Sequence, residues 1–291
     1  ILKNRFDFFS CVIGTLFFIL SPRIYGDSFY NMKDIIFLTF LTISIFYCFE
    51  FMRLKNLKNL IFFSLFTSFC IQTRMIGIFI PIFFIFFYFL SILTNKNDLK
   101  YIFVNCGYVF FVVVFLYIFW PYLWNDPIKK FLILFTNVES LIPSIKMLFK
   151  GNYINVKYMP YDYLFTWIII TSPIPHLLIF FTGLILISKR FIKRLINFEN
   201  NKLNNYDLWR GYQEKKDLFI FTCLISIIFF ITIFNIGLVN SWKYLYFLNI
   251  FIIYIGTFGI YILNRIFKKK KFFRLSVIIA LIFVSFRIVQ Y

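Results

Sequence analysis

SPRIYGDSFYNMKD, residues 21–34, separates an apolar run at about 8–20 from a second at about 35–52. It holds Pro22, Arg23, Tyr25, Gly26, Asp27, Tyr30, Lys33 and Asp34, in a chain that is 61% hydrophobic. A connection between two membrane crossings needs only a few solvated residues. This one carries two carboxylates, two cations and two tyrosines, and Asp34 stands at the mouth of the next apolar run. Taken alone, the stretch fits two readings: a solvated interfacial turn with anchoring tyrosines, or a polar site at a membrane surface.

The flanking runs belong to a series. With 47 Phe and 19 Tyr in 291 residues and a mean hydropathy of +0.83, the composition lies far outside the soluble range. Apolar segments fall at about 8–20, 35–52, 60–73, 75–93, 101–120, 164–188, 218–238, 245–264 and 275–291. Several approach or exceed the roughly 18–20 residues that span a bilayer as helix. The expectation is an all-α polytopic membrane protein of about nine transmembrane helices, a single transmembrane domain over 1–291. The chain begins at Ile1 and its first apolar run follows almost at once, so it reads as N-terminally truncated.

The net charge of +19 does not imply nucleic acid, because the cations collect where membrane topology needs them. With the N-terminus cytoplasmic, segments 1–7, 53–59, 94–100, 189–217 and 265–274 carry 21 of the 31 Lys and Arg, as the positive-inside rule expects. The basic cytoplasmic loop 189–217 alone holds eight and reads as solvated and headgroup-facing. On this topology residues 21–34 face outward. The spans are almost free of ionisable groups; only Arg287 lies deep in an apolar run. An ion or proton pathway would need such groups at mid-bilayer. The polar chemistry lies instead in residues 21–34, Arg74, the loop 121–163 and Asn240–Lys243.

That outer loop 121–163 has a pattern of its own. Asp126-Pro127 reads as an N-cap followed by proline at the first helical position. Ile128, Phe131, Phe135, Val138, Leu141 or Ile142, Ile145 and Phe149 then recur near a period of 3.6. This predicts an amphipathic helix over 127–149, kinked or ended by Pro143, lying in the headgroup plane or packed on the protein's own surface. The five cysteines lie in apolar segments without paired spacing and read as small buried hydrophobes. His176 is the single histidine, which excludes a His-rich metal site. No Gly-rich phosphate loop, HExxH or GxSxG occurs, so soluble nucleotide chemistry has no support.

Three stretches resemble one family in their order and sidedness. SPRIYGDSFYNMKD, leading into a span at Asp34, looks like the loop-plus-acid of phospholipid-carrier-dependent glycosyltransferases of the GT-C fold. These include the dolichyl-phosphate-mannose protein mannosyltransferases and the lipid A aminoarabinose transferase. WPYLWNDPIKKF (120–131) with GNYINVKYMPYDYLFTWIIITSPIP (151–175) resembles a later outer loop of bacterial members. NSWKYLYFLNIF (240–251) is similar to the basic-aromatic start of a late span. The chain departs from the pattern in two places. The family's first outer loop, with its best-known acid, has no counterpart here. Lys243-Tyr244 also stands where Arg-Tyr and a following proline are frequent.

The resemblance implies transfer of a sugar from a polyprenyl-phosphate carrier to a glycan, lipid or protein acceptor, at the outward face of a bacterial inner membrane. A carboxylate takes or orients the acceptor proton, and cations stabilise the phosphate as its negative charge grows. Asp34 and Asp27 are the candidate acids. Arg23, Tyr30, Lys33, Arg74, Lys243 and Tyr246 are the candidate substrate-binding residues, with arginine suited to bidentate phosphate contact. Membrane lipids are the other expected partner, nucleic acid is not expected, and a divalent metal is left open. The alternatives are a lipid-linked saccharide transporter or flippase, and an inactive fragment that binds the carrier lipid.

Overall fold

The computed structural model describes residues 1–94, 100–140, 146–196, 209, 211–234, 238, 243–267 and 270–289. Nearly all of it is helix. The predicted apolar segments emerge as α1 (Phe8–Ile19), α3 (Met32–Leu54), α4 (Leu57–Thr73), α5 (Phe79–Thr94), α6 (Lys100–Phe119), α10 (Gly211–Ile233), α11 (Leu248–Ile266) and α12 (Lys270–Val289). The run at 164–188 is instead divided into α8 (Tyr163–Thr171) and α9 (Ile174–Ile196). Pro173 explains the break, since it disfavours helical backbone at Ser172 and offers no N–H. α2 (Pro22–Tyr30) and α7 (Pro127–Ser140) complete the helices.

Among the described residues, four helices are long and apolar enough to cross a membrane: Met32–Leu54, Ile174–Arg194, Gly211–Ile233 and Leu248–Ile266. α1 and α2, bent by 50°, would make a fifth if they form one span. A multi-pass membrane protein follows from these helices. The cysteines divide: Cys48, Cys70 and Cys223 are buried, Cys11 is intermediate and Cys106 is exposed. Burial of all five was expected, but Cys106 is on the outside of α6.

The chain forms two compact units. One comprises Ile1–Ile35, Leu164–Ile228 and Leu245–Tyr291. Its backbone-to-backbone packing centres on α9 and α11, where Gly183 meets Gly259: a Cβ on Gly259 would stand 2.9 Å from the Gly183 nitrogen. In lipid there is little hydrophobic drive between helices, so close approach through small residues is what holds such a pair. α1 joins through Gly14, which faces the Thr257 side chain of α11. Ile13 and Phe17 pack with Ile260, Val277, Leu281 and Val284, closing α1, α11 and α12 into one core.

The other unit comprises Ile36–Tyr163 and Phe229–Tyr244. Here α4 packs on α6, with Phe63 stacked on Tyr108 at 4.4 Å. Ser44 and Thr67 share a hydrogen bond of 3.0 Å, and the Tyr108 hydroxyl donates to Thr67 Oγ1 at 3.1 Å. These hydroxyls satisfy one another within an apolar interior, where an unpaired one would be costly.

The loop 121–163 departs from expectation. α7 does open with Pro127 at its first position, but it ends at Ser140. Asp126 takes a positive φ of 57°, and its carbonyl accepts from Lys130 N at 3.0 Å. Positions 141–145 lie outside the described residues. Lys146–Phe149, predicted as the last turn of the helix, is strand β1, paired antiparallel with β2 (Asn152–Asn155). Lys150 (φ 50°) and Gly151 (φ 84°) form the two-residue turn. Two successive positive φ values match the right-handed twist of the flanking strands. Ile145 and Phe149 fit a helical period, but Met147 and Phe149 fit an alternating one, and the turn decides between them.

The basic segment 189–217 also differs at its ends. α9 continues through Ile196 and α10 begins at Gly211, while 197–208 and 210 lie outside the described residues. Asp217, expected to be solvated, is fully buried.

Candidate functional site

Residues 21–34 are helical rather than a loop. Ser21 precedes α2 in extended geometry and Pro22 takes its first turn, where a missing N–H costs nothing. α2 buries Ile24 and exposes Tyr25, Phe29 and Tyr30. A single residue, Asn31, joins it to α3. The Asn31 amide closes α2 on the Asp27 carbonyl at 2.7 Å, and its side-chain Nδ2 donates to Asp34 Oδ2 at 2.6 Å. Asp34 is buried, at 3% exposure, in the first turn of α3, where a carboxylate interacts favourably with the helix dipole.

Arg23 and Asp27 are one turn apart on α2, with Arg23 Nε 3.8 Å from Asp27 Oδ2. Tyr246, two residues ahead of α11 and 223 positions from Arg23, completes the group. Arg23 Nε donates to the Tyr246 hydroxyl at 2.9 Å, and that hydroxyl donates to Asp27 Oδ2. The Arg23 guanidinium also lies over the Tyr246 ring, 5.4 Å from its centroid. Burial, and then donation to Asp27, push the Tyr246 phenol above its ordinary pKa, with Arg23 opposing. It therefore stays protonated and serves as a fixed donor. The Asp27 and Arg23 side chains are 27% and 22% exposed, so a proton acceptor and a cation are held side by side within reach of solvent.

The other candidates fall elsewhere. Tyr30 is exposed at the end of α2 and Lys33 in the first turn of α3. Arg74 belongs to the second unit, with its guanidinium 4.5 Å from the Tyr244 ring centroid. Lys243 opens the 3-10 turn Lys243–Leu245. Among the described residues no three His, Cys, Asp or Glu side chains converge as metal ligands.

No protein-family model, curated protein or solved structure matches this chain.

Two polar groups escaped the sequence reading. Asn31 was passed over, though an Asn three residues before an acid at a helix start is a recognisable side-chain pair. The larger omission is the cluster around Asp217. It accepts from Arg5 Nη2 at 2.7 Å, Arg190 Nη2 at 3.0 Å and the Tyr254 hydroxyl at 2.9 Å. This ties the N-terminal segment to α9, α10 and α11. Burial alone would lower the Arg5 pKa, but the bond and charge of Asp217 outweigh it and the net shift is upward. The available signal was an acid next to Lys216 at the start of an apolar run, with no reason to be there unless paired.

Proposed function

We propose that this protein is an integral-membrane glycosyltransferase that moves a sugar from a polyprenyl-phosphate carrier to an acceptor hydroxyl at the extracytoplasmic face. The reading brings with it a GT-C-like arrangement of about nine crossings, with residues 21–34 and 240–251 on that face. One observation carries it. Tyr246, from the late stretch NSWKYLYFLNIF, meets Arg23 and Asp27, from SPRIYGDSFYNMKD, in one hydrogen-bonded group. One helix thus supplies the acid and the cation that the chemistry needs, and a distant part of the chain supplies the hydroxyl that joins them.

In the proposed reaction the acceptor oxygen bonds to the anomeric carbon while the bond from that carbon to the carrier phosphate oxygen breaks. The phosphate leaves with the electron pair, and the hydroxyl proton passes to the Asp27 carboxylate. Arg23 faces the phosphate as its charge grows. Tyr246 is a positioning residue that fixes Asp27 relative to Arg23. Asp34, buried and bonded to Asn31, sets the angle between α2 and α3, and Tyr30 and Lys33 border the approach.

The test is transfer of labelled sugar from polyprenyl-phosphate donors by membranes carrying the parent, Asp27→Asn or Asp34→Asn at matched expression. A positioned general base contributes roughly 10²–10⁴-fold in rate, so Asp27→Asn should lose at least about a hundredfold. Asp34→Asn should lose far less. Parent-like transfer by Asp27→Asn would remove it from the chemistry. Carrier-lipid scrambling by a parent without transferase activity would favour the flippase reading.

A further inference from the structure

The hairpin β1–β2 presents two unlike faces. Pairing places Leu148 opposite Tyr153 and Lys146 opposite Asn155 on one side, and Phe149 opposite Asn152 and Met147 opposite Ile154 on the other. The second side packs on the protein through Phe149, with Met147 and Ile154 half-buried. Phe149 is buried and its ring lies 4.9 Å from that of Tyr163. Val156 and Met159 follow, both buried. The first side is open: Leu148 is 58% and Tyr153 76% exposed. An isolated two-stranded hairpin is marginal in water, and an exposed leucine–tyrosine pair on its free face asks for a cover.

We propose that this face is a membrane-surface anchor, seated in the headgroup region of an anionic bilayer. Position is the first argument. Phe149 packs on Tyr163, the residue at which the chain enters an apolar helix, and Lys150 is ion-paired with Asp162 just before it. That pair holds the Asp162 carboxyl below its ordinary range. The hairpin is therefore pinned at the start of the apolar helix α8. Chemistry is the second argument. Tyrosine has an apolar body and a polar tip, which suits it to the headgroup level, and Tyr158 and Tyr161 are exposed beyond the hairpin. Charge is the third. Lys146 is exposed on the same face as Leu148, and residues 146–162 hold three lysines against one acid. A short basic surface beside the bilayer is drawn to anionic headgroups.

The experiment uses the whole protein in lipid nanodiscs, with an environment-sensitive fluorescent amino acid placed at Tyr153 by stop-codon suppression. Headgroup-nitroxide lipids should quench this probe, a water-soluble quencher should reach it poorly, and protection should be stronger in phosphatidylglycerol than in phosphatidylcholine. Lys146→Glu, an exposed position that leaves the packed side intact, should abolish the preference for phosphatidylglycerol. Free access by the water-soluble quencher with silent lipid nitroxides overturns the proposal. Protection from both quenchers also overturns it, because the cover is then protein. Lipid quenching that ignores lipid charge overturns the choice of an anionic surface.

Discussion

Replacing Gly183 with alanine tests the packing that holds α9 to α11. A Cβ at 183 would stand 2.0 Å from the carbonyl oxygen of Ile255 and 2.8 Å from its carbon. Ordinary contact needs about 3.5 Å, so the helices must part by roughly 1.5 Å. The obstacle is backbone, which cannot rotate away as a side-chain tip would. Overpacking of this kind costs about 1–3 kcal/mol, a fall in Tm of about 2–12 °C at roughly 2–4 °C per kcal/mol. The assay is thermal unfolding in detergent followed by a fluorogenic thiol dye. Cys48, Cys70 and Cys223 are buried and react on unfolding, while exposed Cys106 sets the baseline. Gly26→Ala is the control of opposite sign. Nothing lies within 4 Å of its added Cβ, and alanine inside a helix gains roughly 0.5–1 kcal/mol over glycine. A Gly183→Ala protein melting at or above the parent would refute the close crossing.

Two further outcomes follow from the buried charge and the topology. Asp217→Asn leaves Arg5 and Arg190 without their carboxylate and should destabilise the protein by about 3–5 kcal/mol, read in the same melting assay; an unchanged Tm would mean the arginines find water instead. Cysteines introduced at Ser28 and Lys189, both exposed, should be labelled by an impermeant reagent from outside the cell at Ser28 and spared at Lys189; the reverse pattern would invert the proposed orientation.

What the sequence made legible was burial in lipid, because hydropathy averaged over a helix survives local error. It was less informative wherever one residue decides the outcome. Pro173 interrupts an apolar run whose mean hydropathy barely registers it. Lys150-Gly151 turns the end of a helical pattern into a hairpin, since positive φ at two successive residues ends a helix whatever the apolar spacing. Residues 21–34 read as a connection because they are polar. Yet Pro22 at a first helical position and Ile24 on a buried face are enough to make them a helix. Asp217 was assigned to solvent from its neighbours in sequence, whereas its partners lie on other helices and at the far N-terminus.

The two acids of residues 21–34 show why composition names a site more easily than it apportions the roles within it. In sequence Asp34 is the more suggestive, because it adjoins a span with no further charge until Glu50. In three dimensions that adjacency buries it: its carboxylate sits at 3% exposure and takes a bond from Asn31 one turn back. A carboxylate so enclosed can orient helices but is closed to an acceptor hydroxyl. Asp27 lies mid-helix, one turn from Arg23, where sequence alone suggests only an i,i+4 ion pair of small worth. Tyr246 changes that assessment. Its buried hydroxyl takes one bond from the guanidinium and gives one to the carboxylate, so two half-buried charges are held as a pair that solvent still reaches. A proton acceptor and an anion contact at fixed separation are what group transfer from a phosphate carrier requires, which is why Asp27 rather than Asp34 bears the proposed chemistry.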